Sequence, residues 1–147
     1  MKKSLLTLAL SLLLIIGLNA QEYMVITTVE SVVPMGIGRS RMVVQTDSLN
    51  SMDFTTVRTD GKAAKEQASR KDLKIDNMEE TMLLNFYSAV GINFQNIASN
   101  DAIITSKLTQ LAKEGWKLMF VTSGVESDAG KGDGNGIFIT RFILYRD

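Results

Sequence analysis

The chain opens on a continuous apolar run, residues 5–18, preceded by Lys2 and Lys3 and followed by Ala20, Gln21 and Glu22. A run of about 14 residues has the length of a signal-peptide core and falls short of the ~20 that span a bilayer as a helix. Residues 1–20 therefore read as a secretory signal peptide cleaved after Ala20, with Leu18 an imperfect residue two positions earlier. Residues 23–33 (YMVITTVESVV) are rich in β-branched residues with both alternating faces largely apolar, the pattern of a strand inside a covered sheet. Pro34, Gly36 and Gly38 end that strand, and residues 39–46 (RSRMVVQT) form a second one turning back on it.

Residues 47–77 lose the apolar pattern and read as a polar insertion, with a short exposed helix over residues 62–72 as one option. Met78, Met82, Phe86 and Ala89 recur at spacings of four, four and three before Gly91, which predicts an amphipathic helix. A second helix is expected from Ser99, Asn100 and Asp101 as an N-cap, through Ile104, Leu108 and Leu111 on one face, to Lys113 and the stop at Gly115. Residues 116–122 (WKLMFVT) and 136–146 (GIFITRFILYR) complete the chain as a hairpin of strands around a glycine-rich loop, and Trp116 reads as a core anchor. The expected architecture is a single α+β domain over residues 21–147, a small mostly antiparallel sheet with helices packed on one face.

Residues 108–116 (LTQLAKEGW), the strand after them and the closing residues 142–146 (FILYR) resemble the small bacterial domains of the domain of unknown function 4177 family. Those domains begin on a Glu-Tyr strand, leave their helix through Gly-Trp and end on a strand closed by a basic residue. Glu22 and Tyr23, Gly115 and Trp116, and Arg146 occupy those places here, with residues 39–100 as an insertion. The resemblance implies a compact α/β fold and no assigned activity.

Composition narrows the chemistry. With His 0 and Cys 0, the chain has no Ser-His-Asp triad, no thiolate nucleophile, no disulfide and no ordinary zinc, haem or iron–sulfur ligand set. Sixteen basic and sixteen acidic residues balance, which argues against nucleic acid as a partner. No segment after the signal is apolar for long enough to span a membrane. What remains is carboxylate, lysine and hydroxyl chemistry, so Glu30 on the first strand is of interest, although a place at the sheet rim in water is expected for it.

Two clusters are candidate binding sites. Arg39 and Arg41 project from one side of a strand and form an anion fork, or cover an edge strand. In the loop GVESDAGKGDGNG, Glu126, Asp128, Asp133 and Asn135 offer oxygen ligands to calcium, although their spacing is not that of an EF-hand and the Asp-Gly and Asn-Gly pairs are first of all turn formers. The loop lacks the spacing and the strand-to-helix context of a phosphate-binding loop. The leading expectation is a periplasmic or secreted, non-catalytic domain without cofactor that binds an envelope protein or component. A small-ligand or calcium-binding protein and a carboxylate-based hydrolase stand as alternatives.

Overall fold

The computed structural model describes residues 21–32, 40–63, 68–88, 90–126 and 136–147. Five antiparallel strands form the sheet: β1 (Glu22–Ser31), β2 (Arg41–Gln45), β5 (Met78–Met82), β8 (Lys117–Glu126) and β9 (Ile137–Arg146), in the order β5-β2-β1-β9-β8. Two short hairpins, β3 (Arg58–Thr59) with β4 (Lys62–Ala63) and β6 (Tyr87–Ser88) with β7 (Gly91–Ile92), lie between β2 and the helix in sequence, as does a 3-10 turn at Ser51–Phe54. One α-helix, α1 (Phe94–Lys113), crosses one face of the sheet.

The register explains which side chains meet α1. Ile26 stands opposite Val44 on β2 and Phe142 on β9, and Met24 stands opposite Leu144. Side chains alternate along a strand, so these residues share one face, and Val25, Val29, Val43, Ile139 and Ile143 share the other. Ile26, Met42, Val44 and Leu144 join Leu111, Trp116 and Leu83 in the core, with Ile103, Ile104 and Leu108 packed against them. No residue of the opposite face belongs to that core.

The end of α1 follows the chemistry of its residues. Gly115 takes φ +90°, its N–H bonds to the Ala112 carbonyl, and the Trp116 N–H reaches back to the Leu111 carbonyl at 3.0 Å. That pair of bonds is the Schellman arrangement, and a Cβ at position 115 would strain it. Trp116 then enters the core, 7% exposed, and β8 begins at the next residue.

Four expectations are overturned. The fold is not a sheet with several helices on one face: strands hold 45% of the described residues and helical turns 23%, with α1 the one α-helix among them. The segment read as an amphipathic helix from Met78 is strand β5 followed by extended chain. Its four-residue spacing also fits a strand, because positions 78, 80 and 82 lie on one face, and hydrogen bonds from other elements hold the chain beyond it straight. The helix starts earlier than expected, at Asn93, whose side-chain oxygen accepts from the backbone N–H of Gln95 and Asn96. The option of one helix over residues 62–72 fails where the chain is described: residues 64–67 lie outside the described residues, Asp60 and Gly61, at φ 52° and 75°, form a two-residue turn into β4, and turns occupy residues 70–73.

β1 also departs from expectation. Its two apolar faces predict a sheet covered on both sides, yet α1 covers one side, and Val25 and Val29 on the other remain partly exposed.

Candidate functional site

Polar side chains concentrate where the extended chain after β5 passes between β1 and α1. Asn100 is wholly buried on the inward face of α1. Its Oδ1 accepts from the Leu84 N–H at 2.8 Å, and its Nδ2 donates to the Leu84 carbonyl and to Glu30 Oε1, both at 2.8 Å. One residue along, the Ser40 hydroxyl donates to Asn85 Oδ1 at 2.7 Å and accepts from the Ser31 N–H, while Asn96 Nδ2 bonds to the Asn85 carbonyl. The Phe86 N–H completes the cluster on the Ser31 carbonyl at 2.9 Å. Each bond satisfies a group that would otherwise be dehydrated without a partner, so the cluster is a clamp on a non-repetitive segment.

Glu30 belongs to this clamp and is half-buried, not at a rim in water as expected. Burial pushes its carboxyl pKa up from the ordinary value; the hydrogen bond from Asn100 pulls it back, and the charge of Asp101 adds to the rise. A raised carboxyl is the property of a general acid. Here, however, its Oε1 is committed to Asn100, and neither groove described below reaches it.

The residues singled out in the sequence do not assemble into one site. Arg41 lies on β2, donates to the Ser40 carbonyl at 3.0 Å and faces Glu80 of β5 at 3.7 Å, so it serves the sheet. Arg39, its partner in the anion fork, lies outside the described residues, as do Asp128, Asp133 and Asn135. Glu126 is the last residue of β8 and is exposed. Among the described residues no three acidic side chains come together to hold a metal ion.

The feature that stands out physically is β8. It lies at the sheet edge, pairs with β9 alone among the described residues, and is exposed along all ten positions. Leu118, Met119, Phe120, Val121 and Val125 are 43% to 60% exposed, although they alternate between two faces. The cause is the placement of α1: its apolar face sits over β1, β2 and β9, and no β8 residue joins the core. Between α1 and β8 runs an open groove of about 310 Å³, with Thr105, Thr109 and Ala112 on one wall and Leu118 on the other, floored by Leu144 and closed by Trp116. On the other side of the strand a second open groove, about 430 Å³, follows residues 122–126 beside Ile139 and Arg141.

The Lys117 end of β8 is pinned. Lys117 donates to Asp147 at 2.6 Å, a pairing that raises its pKa above the usual lysine value, and its ammonium lies 5.4 Å from the Tyr145 ring centre. Arg146 stacks over Trp116 at 4.5 Å and donates to Glu22 at 2.7 Å across the β1–β9 ladder. An edge that is long, apolar, anchored at one end and bordered by grooves can accept an extended segment by backbone hydrogen bonding, with its side chains received on either face. The sequence carried this signal in residues 118–125 (LMFVTSGV), eight uncharged positions apolar on both faces; the polarity of a strand does not reveal which side of the sheet its helix leaves uncovered. No family model, curated protein or solved structure matches the chain.

Proposed function

We propose that this is an exported, non-catalytic domain that works by binding protein, and that its docking element is the free edge of β8. The observation that carries the reading is the ten-residue edge strand, exposed on both faces and without a charge between Lys117 and Glu126. Edges of this length and composition are ordinarily blunted by charge, proline, brevity, bulges or a covering element, and among the described residues β8 carries only a bulge, between Leu118 and Phe120 near one end. Absence of His and Cys from the composition, and the engagement of Glu30 in the Asn100 clamp, support a role without catalysis.

Export rests on the signal-like residues 1–20. Among the described residues, no helix is long and apolar enough to cross a membrane. The pairing of Glu22 with Arg146 and the Gly115-Trp116 helix exit are what the proposed likeness to the domain of unknown function 4177 family would draw on.

Two experiments test the reading. Fractionation of the tagged full-length chain is expected to recover a shortened product outside the cytoplasm, and an unprocessed cytoplasmic product contradicts export. Affinity capture from the envelope fraction is expected to retain protein partners, copies of this chain included, on the native protein and to lose them on Thr122→Lys, which sets a charge in the middle of the edge without touching the core. Equal capture by both would remove β8 from the interface.

A further inference from the structure

Resting on the reading of β8 as a docking edge, we infer that the edge is occupied by the β8 of a second copy of this chain, in an antiparallel pair centred on Thr122. The argument is one of self-complementarity. In a two-fold pair whose axis is normal to the sheet, each residue must face a residue that projects from the same side of its own strand. The β8–β9 register sorts those sides. Lys117, Phe120, Thr122, Gly124 and Glu126 oppose Tyr145, Ile143, Arg141, Ile139 and Ile137, on the face away from α1. Leu118, Val121, Ser123 and Val125 oppose Leu144, Phe142, Thr140 and Phe138, on the helix face. The step from Leu118 to Phe120 is a bulge, which leaves Met119 as the extra residue.

With the axis through Thr122 and the bulge retained, every facing pair is compatible. Thr122 meets Thr122 of the second copy, a pairing whose hydroxyls can bond across strands. Phe120 meets Gly124 of the second copy, so the exposed ring covers the strand position without a side chain. On the helix face Val121 meets Ser123 of the second copy, and Leu118 meets Val125 of the second copy. At each end Lys117 faces Glu126 of the second copy, opposite charges on the same side of the sheet. Lys117 has three donors and commits one to Asp147, so it can hold both carboxylates. Centring the pair one residue earlier, on Val121, would face Phe120 with Thr122 and take Glu126 away from Lys117. The charges thus select both the orientation and the register.

The groove between α1 and β8 supports the same occupant. In such a pair the two helices lie on the same side of a continuous ten-stranded sheet, and each groove beside Leu118 borders the paired edge, where the exposed Leu118 of one copy meets the exposed Val125 of the other, one such contact on each side of the axis.

The test uses the absence of native cysteine. The purified protein is expected to sediment as a dimer that dissociates on dilution. Thr122→Cys alone is expected to cross-link to itself with a short bismaleimide. Lys117→Cys and Glu126→Cys are each expected to fail alone and to cross-link when mixed. Sedimentation as a monomer at every concentration, or cross-linking of Lys117→Cys with itself in preference to Glu126→Cys, overturns the inference. A monomer that still loses envelope partners on Thr122→Lys would overturn the self-pairing alone and leave β8 as the docking edge; a monomer whose envelope capture Thr122→Lys leaves unchanged would end both.

Discussion

The two edges of the sheet are built on opposite principles. β5 is five residues long and carries Glu79 and Glu80 at its centre; Glu79 accepts from Lys107 of α1 at 2.8 Å and Glu80 faces Arg41 at 3.7 Å. Its entry is tied to the end of β2 by Asp47, which accepts from the side chain and the backbone N–H of Asn77 and whose pKa is thereby lowered. Its exit is held by the Leu83 N–H on the Ser40 carbonyl and by the Asn100 clamp. β8 is twice as long and has no charge between its ends. Brevity, charge and anchoring close one edge against pairing, and the lack of the first two leaves the other open. On the proposed reading, that difference, more than either groove beside β8, marks the edge where a partner would dock.

The comparison breaks most visibly at the clamp. Asn100→Ala removes the partners of the Leu84 N–H and carbonyl and of Glu30, and is expected to destabilise the fold by about 3 kcal/mol, at the upper end for a stranded buried polar group. Urea denaturation measures the loss; a change below about 1 kcal/mol would show that water replaces the side chain and that the closed edge does not depend on it.

At the open edge the expected effect is on association. Thr122→Lys sets two like charges opposite each other at the axis, and is expected to weaken the dimer at least tenfold, about 1.4 kcal/mol. Sedimentation equilibrium measures it. Thr122 is exposed, but the lysine would also stand opposite Arg141 of β9, so the same substitution is expected to cost the single chain up to about 1 kcal/mol.

Glu30 gives a smaller, pH-dependent effect. Its folded pKa lies above the ordinary value, so its contribution to stability is fully present below that ordinary value and is lost as pH rises through the raised one. Glu30→Gln keeps an oxygen for Asn100 and cannot ionise. It is expected to match the native protein near about pH 3.5 and to exceed it at about pH 7, by less than about 1 kcal/mol once solvent screening of a half-exposed group is allowed for. Thermal melts at both pH values check the sign. Smallest of all, Glu79→Gln removes the ion pair between the exposed Glu79 and the mostly covered Lys107, and is expected to cost about 0.5 kcal/mol, because the substituted amide oxygen can still accept from the ammonium. Its use is to show that the charges at β5 act against wrong pairing more than for stability, which a shift to larger assemblies in sedimentation would report.

Much of the sheet was legible in the sequence, and for local reasons. β1, β2 and β9 follow from β-branched runs bounded by turn residues, and the end of α1 follows from Gly115 and Trp116. The failures are non-local. Met78, Met82 and Phe86 match a helical period, but the chain there is extended because Arg41–Gln45 pairs with Met78–Met82 and because Asn100, Ser31 and Asn96 take up the backbone groups of residues 84–86. Asn100 reads locally as a cap because asparagine is uncommon inside helices; its place on the core face appears only once residue 84 is brought beside it. Asp60-Gly61 is a local signal for a two-residue hairpin, but the polar stretch around it carries no strand pattern to mark its arms. The open edge was half legible: residues 116–122 announce an apolar strand, but its continuation to Glu126 lies in what reads as the glycine-rich loop, and only the lateral position of α1 shows that nothing in the described chain covers it.

Amide hydrogen exchange across β8, followed at high and low protein concentration, tests the central claim most directly. The account expects the β8 amides that point away from β9 to be protected at high concentration and to lose that protection on dilution, while the outer amides of β5 exchange freely at both. Free exchange of those β8 amides at every concentration, alike with the outer amides of β5, would contradict it.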